Sequence, residues 1–256
     1  MTTVDRTRID RRVLVGAASL AVGILLWEIY ARLAADPVFI PTSGDVIVAF
    51  WALLGEADFW SSYATTLEPF LIGWSTAIVL GVSLGLWMGR SRVITGLSAP
   101  HLAFLNALPI STLVPVVVIV AGIDLVARSI VVFLFAIVEV VLTTASGVRY
   151  IDPDLFAMGK SFSLSRRKRL TRIILPGAAG GIAAAIRVGT GRAVVGMVVM
   201  ELLLVSVGVG RLISRYRDTF QAPSLYAVVL SLAIFALVVQ ALLRRLERKA
   251  LTWRGD

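Results

Sequence analysis

The 256-residue sequence has no cysteine and a single histidine, His101. Without thiols there can be no disulfide, thiolate nucleophile or zinc–thiolate site. One imidazole supplies no histidine cluster, so no metal site is expected. A Gly-x-x-x-x-Gly-Lys-Ser/Thr phosphate loop is also missing; Gly208-Val209-Gly210 is too short a glycine pattern and lacks the lysine. No nucleophile–base pair stands out, so catalysis by this chain is not expected. Charge is scarce too: 16% of residues are charged against 58% hydrophobic, too few to clothe a soluble domain of this size.

What is present is hydrophobic length. A helix needs about 20 mainly apolar residues to cross the hydrocarbon core. Six stretches reach that scale: 13–31, 70–89, 99–122, 130–148, part of 182–209, and 226–243. The expected fold class is an all-α integral membrane protein with six transmembrane helices. Residues 1–12 form a basic N-terminal segment and 13–256 a single membrane domain. The fifth block exceeds what a bilayer requires, so part of it is expected to project. The basic start before an apolar run imitates a secretion signal. Trp27 and Glu28 break the small-residue exit such a signal needs, and the run reads as a retained first helix.

A net charge of +9 would raise nucleic-acid binding in a soluble protein. Here the basic residues lie between apolar blocks, without an aromatic-interleaved basic face, and no nucleic-acid partner is expected. Lysine and arginine collect on the cytoplasmic side of membrane proteins. That places the N-terminus inside, with Arg6, Arg8, Arg11, Arg12, Arg90, Arg92, the run from Arg149 to Arg172, and Arg244 to Arg254. The loop carrying Asp36, Asp45, Glu56 and Asp58 then lies outside. Arg128, Arg211, Arg215 and Arg217 run against this assignment. In the outer loop, Pro41-Thr42-Ser43-Gly44-Asp45 reads as a turn and helix start, after which Val46, Phe50 and Leu53 recur at helical spacing. An interfacial helix is expected there, with Trp51 and Trp60 among the lipid headgroups.

The most informative segment is the cytoplasmic loop 149–176. Asp152 followed by Pro153 is an aspartate cap with proline at the first helical position. Leu155, Met158, Gly159 and Phe162 then form one narrow apolar stripe. After Ser163 comes Arg166-Arg167-Lys168-Arg169, leading to Leu175-Pro176. A short amphipathic helix flanked by charge either docks into a partner's groove or lies on anionic lipid of the inner leaflet. The residues alone do not choose between these.

This segment and the helix after it resemble the signature loop and fifth helix of bacterial ABC importer permeases, the inner-membrane components of binding-protein-dependent transport. The run Ile173 to Leu175 with Pro176 matches, as do Arg192-Ala193, Glu201 and Gly208-Val209-Gly210. Asn106-Ala107-Leu108-Pro109 with Pro115 and Gly122-Ile123-Asp124 is similar to the third helix of the nitrate/taurine/alkanesulfonate group, and the tail with Trp253-Arg254 also fits. Counted back from Pro176, the family's Glu-Ala-Ala triplet appears as Ala157-Met158-Gly159, without the glutamate, and the usual glycine falls at Ser163. The resemblance implies a coupling helix over 152–162 that contacts a separate ATPase through Asp152, Leu155, Phe156, Ala157, Met158, Gly159, Lys160, Phe162 and Ser163, with Pro176 at the joint to the fifth helix. It further implies ABC ATPase subunits that bind the ATP and Mg, so that no cofactor belongs to this chain. A second permease copy or a paralogous permease, an extracytoplasmic substrate-binding protein and the bacterial inner membrane complete the set.

Polar groups inside the spans are candidates for the translocation pathway. Glu139 lies about 11 residues from Arg128, roughly 16 Å deep at ~1.5 Å per residue. Arg192 and Glu201 are about nine residues apart on one helix and point to opposite sides; Arg192 is instead a candidate to meet Glu139. Thr143, Thr144 and Ser146 give the fourth span a polar strip, and Asn106, Ser111 and Thr112 do so for the third. His101 is expected at the cytoplasmic mouth. The many glycines of the fifth span read mainly as packing within one subunit. The expected activity is import of a small polar or anionic solute. A non-pumping scaffold with a permease-like fold, or an ion-driven secondary transporter, are the other readings.

Overall fold

The computed structural model describes residues 6–33, 36, 38–203 and 207–250; Trp253 and Arg254 of the tail lie outside the described residues. Helix α1 (Arg6–Leu33) is followed by α2 (Ser43–Leu54), α3 (Ala57–Arg90), α4 (Arg92–Ala107), a 3-10 turn (Ile110–Leu113) and α5 (Val114–Ala121). Next come α6 (Leu125–Arg149), α7 (Pro153–Ser161), α8 (Arg166–Arg169), a π turn (Leu170–Ile174), α9 (Leu175–Leu203), α10 (Gly208–Asp218) and α11 (Ala222–Ala250). Five helical stretches are long and apolar enough to cross a membrane, and a bent pair brings the number to six. The described residues contain no strand, so the fold is all-α and multi-pass.

The third span departs from expectation. The stretch 99–122 reads as one helix, but α4 and the segment Ile110–Ala121 meet at a 90° bend. Pro109 has no N–H to donate and biases Leu108 away from the α region; Leu108 is extended at φ −76°, ψ 135°. Pro115 then opens α5, which ends at Gly122 with φ +78°, a conformation that glycine adopts without steric penalty. Two prolines and a glycine convert a hydrophobic stretch of sufficient length into a broken span.

Two compact units divide the chain. The described parts of 1–60 and 212–232 make the first. Helix α2 forms where the sequence predicts a helix, with a capping box between Thr42 and Asp45 that satisfies orphan donors reciprocally. Glu28 of α1 accepts from the backbone N–H and hydroxyl of Ser43 at 2.8 and 2.7 Å and pairs with Arg32 at 2.6 Å. Trp27 stacks on Tyr226 with ring centres 5.9 Å apart. Trp60 donates to the Leu54 carbonyl, and both Trp51 and Trp60 remain exposed.

The second unit, the described parts of 61–211 and 233–256, holds the three-helix core of α3, α6 and α9. Gly73, Ala77, Gly81, Gly85 and Gly89 recur every four residues on α3. A methyl added at Gly81, Gly85 or Gly89 would come within 2.9, 2.6 and 2.5 Å of the β-carbons of Val140, Thr144 and Val148 on α6. On the other side, a methyl at Gly181 of α9 would lie 2.5 Å from the Gly147 α-carbon. In lipid, helix association relies on such close packing because lipid tails are as apolar as the side chains. The glycines of α9 thus pack within the subunit, as expected. The equally regular α3 ridge has the four-residue period of a helix face and is legible in the sequence.

The arginines that oppose the charge rule are bound within the protein. Pro69 inside α3 removes the N–H that would bond to the carbonyl four residues earlier. That carbonyl belongs to Thr65, and Arg128 Nη1 donates to it at 3.1 Å. Arg211 donates to Ser62 Oγ at 3.0 Å. Within the first unit, Arg215 pairs with Asp58 at 2.9 Å and Arg217 with Asp218 at 2.9 Å.

Candidate functional site

The loop 149–176 is a built object. Asp152 Oδ1 accepts from the Asp154 N–H at 2.9 Å, and Pro153 begins α7 as expected. Helix α7 closes with a Schellman motif: Leu164 N–H bonds to the Gly159 carbonyl at 3.0 Å and Ser163 N–H to that of Lys160 at 2.9 Å. Ser163 has φ +50°, so the left-handed position is kept even though serine replaces the usual glycine. Lys160 lies in the last turn of α7.

The loop is rooted in the helical core. Ile151, Ile174, Val148 and Ala178 form a buried cluster, and Phe156, Leu170, Leu86 and Ile182 pack around it. Gly159 is buried beneath Ile173, whose Cδ1 would lie 2.5 Å from an added methyl. The rest of the stripe points away: Leu155, Met158 and Phe162 are exposed, Phe162 by 74%. Ala157 is exposed as well. Pro176 stands just inside α9. The preceding turn widens, with Leu175 N–H reaching back to the Leu170 carbonyl. A π turn accommodates a proline that cannot donate and whose ring presses on the preceding turn. The loop therefore joins α9 through helix rather than through a free linker.

The intramembrane polar residues separate into distinct settings. Arg192 Nη2 donates to Glu139 Oε1 at 2.8 Å across α6 and α9, with side chains 56% and 25% exposed. Glu139 is about 14 residues into α6, roughly 21 Å along the helix at ~1.5 Å per residue. Glu201 does not pair with Arg192 and is 5% exposed. Thr66 Oγ1 donates to Glu201 Oε1 at 2.6 Å and accepts from Val209 N–H at 2.9 Å, while Gly210 N–H donates to Glu201 Oε2 at 2.9 Å. Gly208, at φ +57°, lies so close that a β-carbon would overlap Thr66 and Glu201. This bracket ties α3 to α9 and α10, and the Thr66 partner carried no legible signal across 135 residues.

Thr144 is fully buried with its hydroxyl unpartnered, and Thr143 is half-buried. Asn106 is exposed near the end of α4, and Ser111 and Thr112 occupy the 3-10 turn at the bend; Thr112 Oγ1 donates to the Pro109 carbonyl at 2.8 Å. His101 is exposed, its Nδ1 2.8 Å from the Leu97 carbonyl. No group of His, Cys, Asp and Glu among the described residues is arranged to hold a metal ion.

Comparison with known proteins agrees with this architecture. The chain is 25% identical over 257 residues to the taurine transport system permease protein TauC of Escherichia coli, covering 98% of this chain and 94% of that one. It is 27% identical over 234 residues to the riboflavin transport system permease protein RibX of Chloroflexus aurantiacus, covering 91% and 87%. Residues 77–252 match one family across the broken span, the α6–α9 core and the loop between them. The chain belongs to the binding-protein-dependent transport system inner membrane component family.

Proposed function

We propose that this chain is the permease half of an ATP-driven importer, with its N-terminus in the cytoplasm, and that it passes a small polar or anionic solute. The observation that carries the reading is the two-sidedness of α7. On its inner side Gly159 lies under Ile173 of the π turn and Phe156 packs on the cluster of Val148, Ile151, Ile174 and Ala178, while Leu155, Met158 and Phe162 are left uncovered. An amphipathic helix rooted on one side and bare on the other transmits a push from whatever fills its bare side. A separate ATPase, which binds the ATP and Mg, is the proposed source of that push, acting on Asp152 to Ser163 and on through Pro176. The partners are two such ATPases, a second permease copy or paralogue, and an extracytoplasmic binding protein.

Alternating access is a two-state equilibrium that the nucleotide and the loaded binding protein each bias. The proposed pathway includes Asn106, Ser111, Thr112, Glu139, Thr143 and Arg192, with the buried Thr144 and Glu201 as braces beside it rather than on its wall. A half-exposed ion pair in mid-span is too costly to face lipid, so the Glu139–Arg192 face meets water or another chain. Arg192 gives that face a cation suited to an anionic cargo. Taurine, named for one relative, carries a sulfonate.

Because the chain has no cysteine, Phe162→Cys introduces a unique thiol. Co-expressed with its proposed ABC ATPase partner, this variant is expected to form a crosslink to that ATPase whose yield changes with ATP. Modification of the thiol in intact spheroplasts by a membrane-impermeant maleimide would place the loop outside and end the proposal. Uptake that persists in ATP-depleted vesicles would favour ion-driven transport instead.

A further inference from the structure

Three arginines converge on one cleft at the foot of the core without an anion to meet them. Arg90 ends α3, Arg149 ends α6 and Arg169 ends α8. They line a cleft of about 480 Å³ whose remaining walls include Val148, Ile151 and Phe156 and contain no carboxylate. Among the described residues, no hydrogen bond or ion pair engages their guanidinium groups, and the Arg169 Nε is buried with no acceptor. Arg90 and Arg149 are exposed and Arg169 is half-buried; three arginines of comparable exposure elsewhere each meet a carboxylate, Arg192 that of Glu139, Arg187 that of Glu247 and Arg215 that of Asp58.

Their location narrows the ligand. The cleft opens where two spanning helices end, so one wall is apolar and the other cationic. Arg90 is shared with a second cleft of about 470 Å³ that also holds Arg166, Arg167 and the exposed Trp87. Tryptophan favours headgroup depth. Guanidinium forks match the oxygens of phosphate, and basic pockets between membrane helices on the cytoplasmic side receive anionic headgroups. We propose that the Arg90–Arg149–Arg169 cleft binds the phosphate of an anionic glycerophospholipid of the inner leaflet, with Ile151 and Phe156 against its glycerol and upper acyl carbons. The bound lipid would brace the elbow between α6 and α7. The choice of leaflet rests on the orientation given under the proposed function; the arginine cluster does not.

The test uses the purified full-length chain, native mass spectrometry, and dioleoylphosphatidylglycerol against dioleoylphosphatidylcholine. Phosphatidylglycerol is expected to be retained preferentially. Replacing Arg90, Arg149 and Arg169 together by Gln should weaken it by about 100-fold, about fivefold for each charge. A triple Lys variant at the same positions keeps the charge but loses the forks, and should fall between the two. Gln at the exposed Arg244, Arg245 and Arg248 removes the same charge and should change binding by less than about twofold.

Equal loss in that control, or equal retention of phosphatidylcholine, would overturn the site. Inorganic phosphate that binds with the same three-arginine dependence while the lipid does not would make this a free-phosphate site and overturn the lipid assignment. A photocrosslinker at Phe156 in the assembled transporter should label lipid; labelling the ATPase instead would assign the cleft to that partner and end the proposal. The Phe162 thiol reads ATPase contact without reference to lipid, so the two readings fail separately.

Discussion

Two glutamates inside the membrane core have been treated by the fold in opposite ways. Glu201 is enclosed, with Thr66 and Gly210 donating to its two oxygens and Thr66 in turn holding Val209. Glu139 is only partly covered and relies on Arg192, itself more than half exposed. The first pays for burial with hydrogen bonds contributed by two other helices, α3 and α10. The second keeps a charge at a surface, where lipid would not tolerate it. Burial with complete satisfaction marks a joint of the fold, whereas exposure with a single partner marks a place where something else arrives.

The contrast ranks the effects of mutation. Glu201→Ala should be the most damaging change, because it leaves the Gly210 N–H and the Thr66 hydroxyl without acceptors in a dry interior. Unsatisfied buried groups cost about 1–3 kcal/mol each, which gives a loss on the order of 3 kcal/mol. The expected result is a large drop in the detergent melting midpoint, or failure to recover a monodisperse protein. A variant that melts like the parent would show that water already reaches this carboxylate, and the difference between the two glutamates would vanish.

Single changes at the other pair should behave differently. Arg192→Ala or Glu139→Ala is expected to cost at most about 1 kcal/mol of stability if water or a partner bathes that face. Reconstituted uptake should nonetheless fall several-fold. The exchange Glu139→Arg with Arg192→Glu restores the pair with reversed polarity. If the pair serves only to hold α6 against α9, the exchange should recover uptake of any cargo. If Arg192 touches an anionic cargo, the exchange should recover stability but leave uptake low. Loss of several kcal/mol in either single variant would place the face in lipid and remove it from the pathway.

How much of this the sequence disclosed follows from the range of the interactions. Caps and breakers are local, so Thr42 with Asp45, Asp152 with Pro153, and the placement of Pro176 were all readable within a few residues. The 90° bend at Leu108-Pro109 was written there too, but a hydropathy window averages over proline and returned one span. The Glu139–Arg192 pair was within reach because two charges in adjacent apolar helices have few other partners. The Thr66–Glu201 bond was not: a threonine has no distinguishing periodicity, and its partner is 135 residues away. The Arg128–Thr65 contact was hidden for a further reason, since it depends on a carbonyl freed by Pro69. The loop's outward stripe was visible as a pattern, while the anchoring of Gly159 under Ile173 needed the folded chain.

The same opposition recurs on a smaller scale in the loop, and it supplies the smallest expected effect. Ser163 occupies a left-handed position at φ +50°, which costs a non-glycine residue roughly 1–2 kcal/mol. Glycine removes that cost but adds backbone freedom in the unfolded chain worth about 0.5–1 kcal/mol. Ser163→Gly should therefore gain on the order of 1 kcal/mol, felt locally in the Schellman turn. Hydrogen exchange at the Leu164 amide, which bonds to the Gly159 carbonyl, is the appropriate reading and should slow by up to about fivefold. Global melting should barely move, because the Ile151–Ile174 cluster rather than this turn holds the loop to the core. Faster exchange at Leu164 would mean that backbone strain at Ser163 is not what limits the turn, and the close of α7 would then depend on the serine side chain.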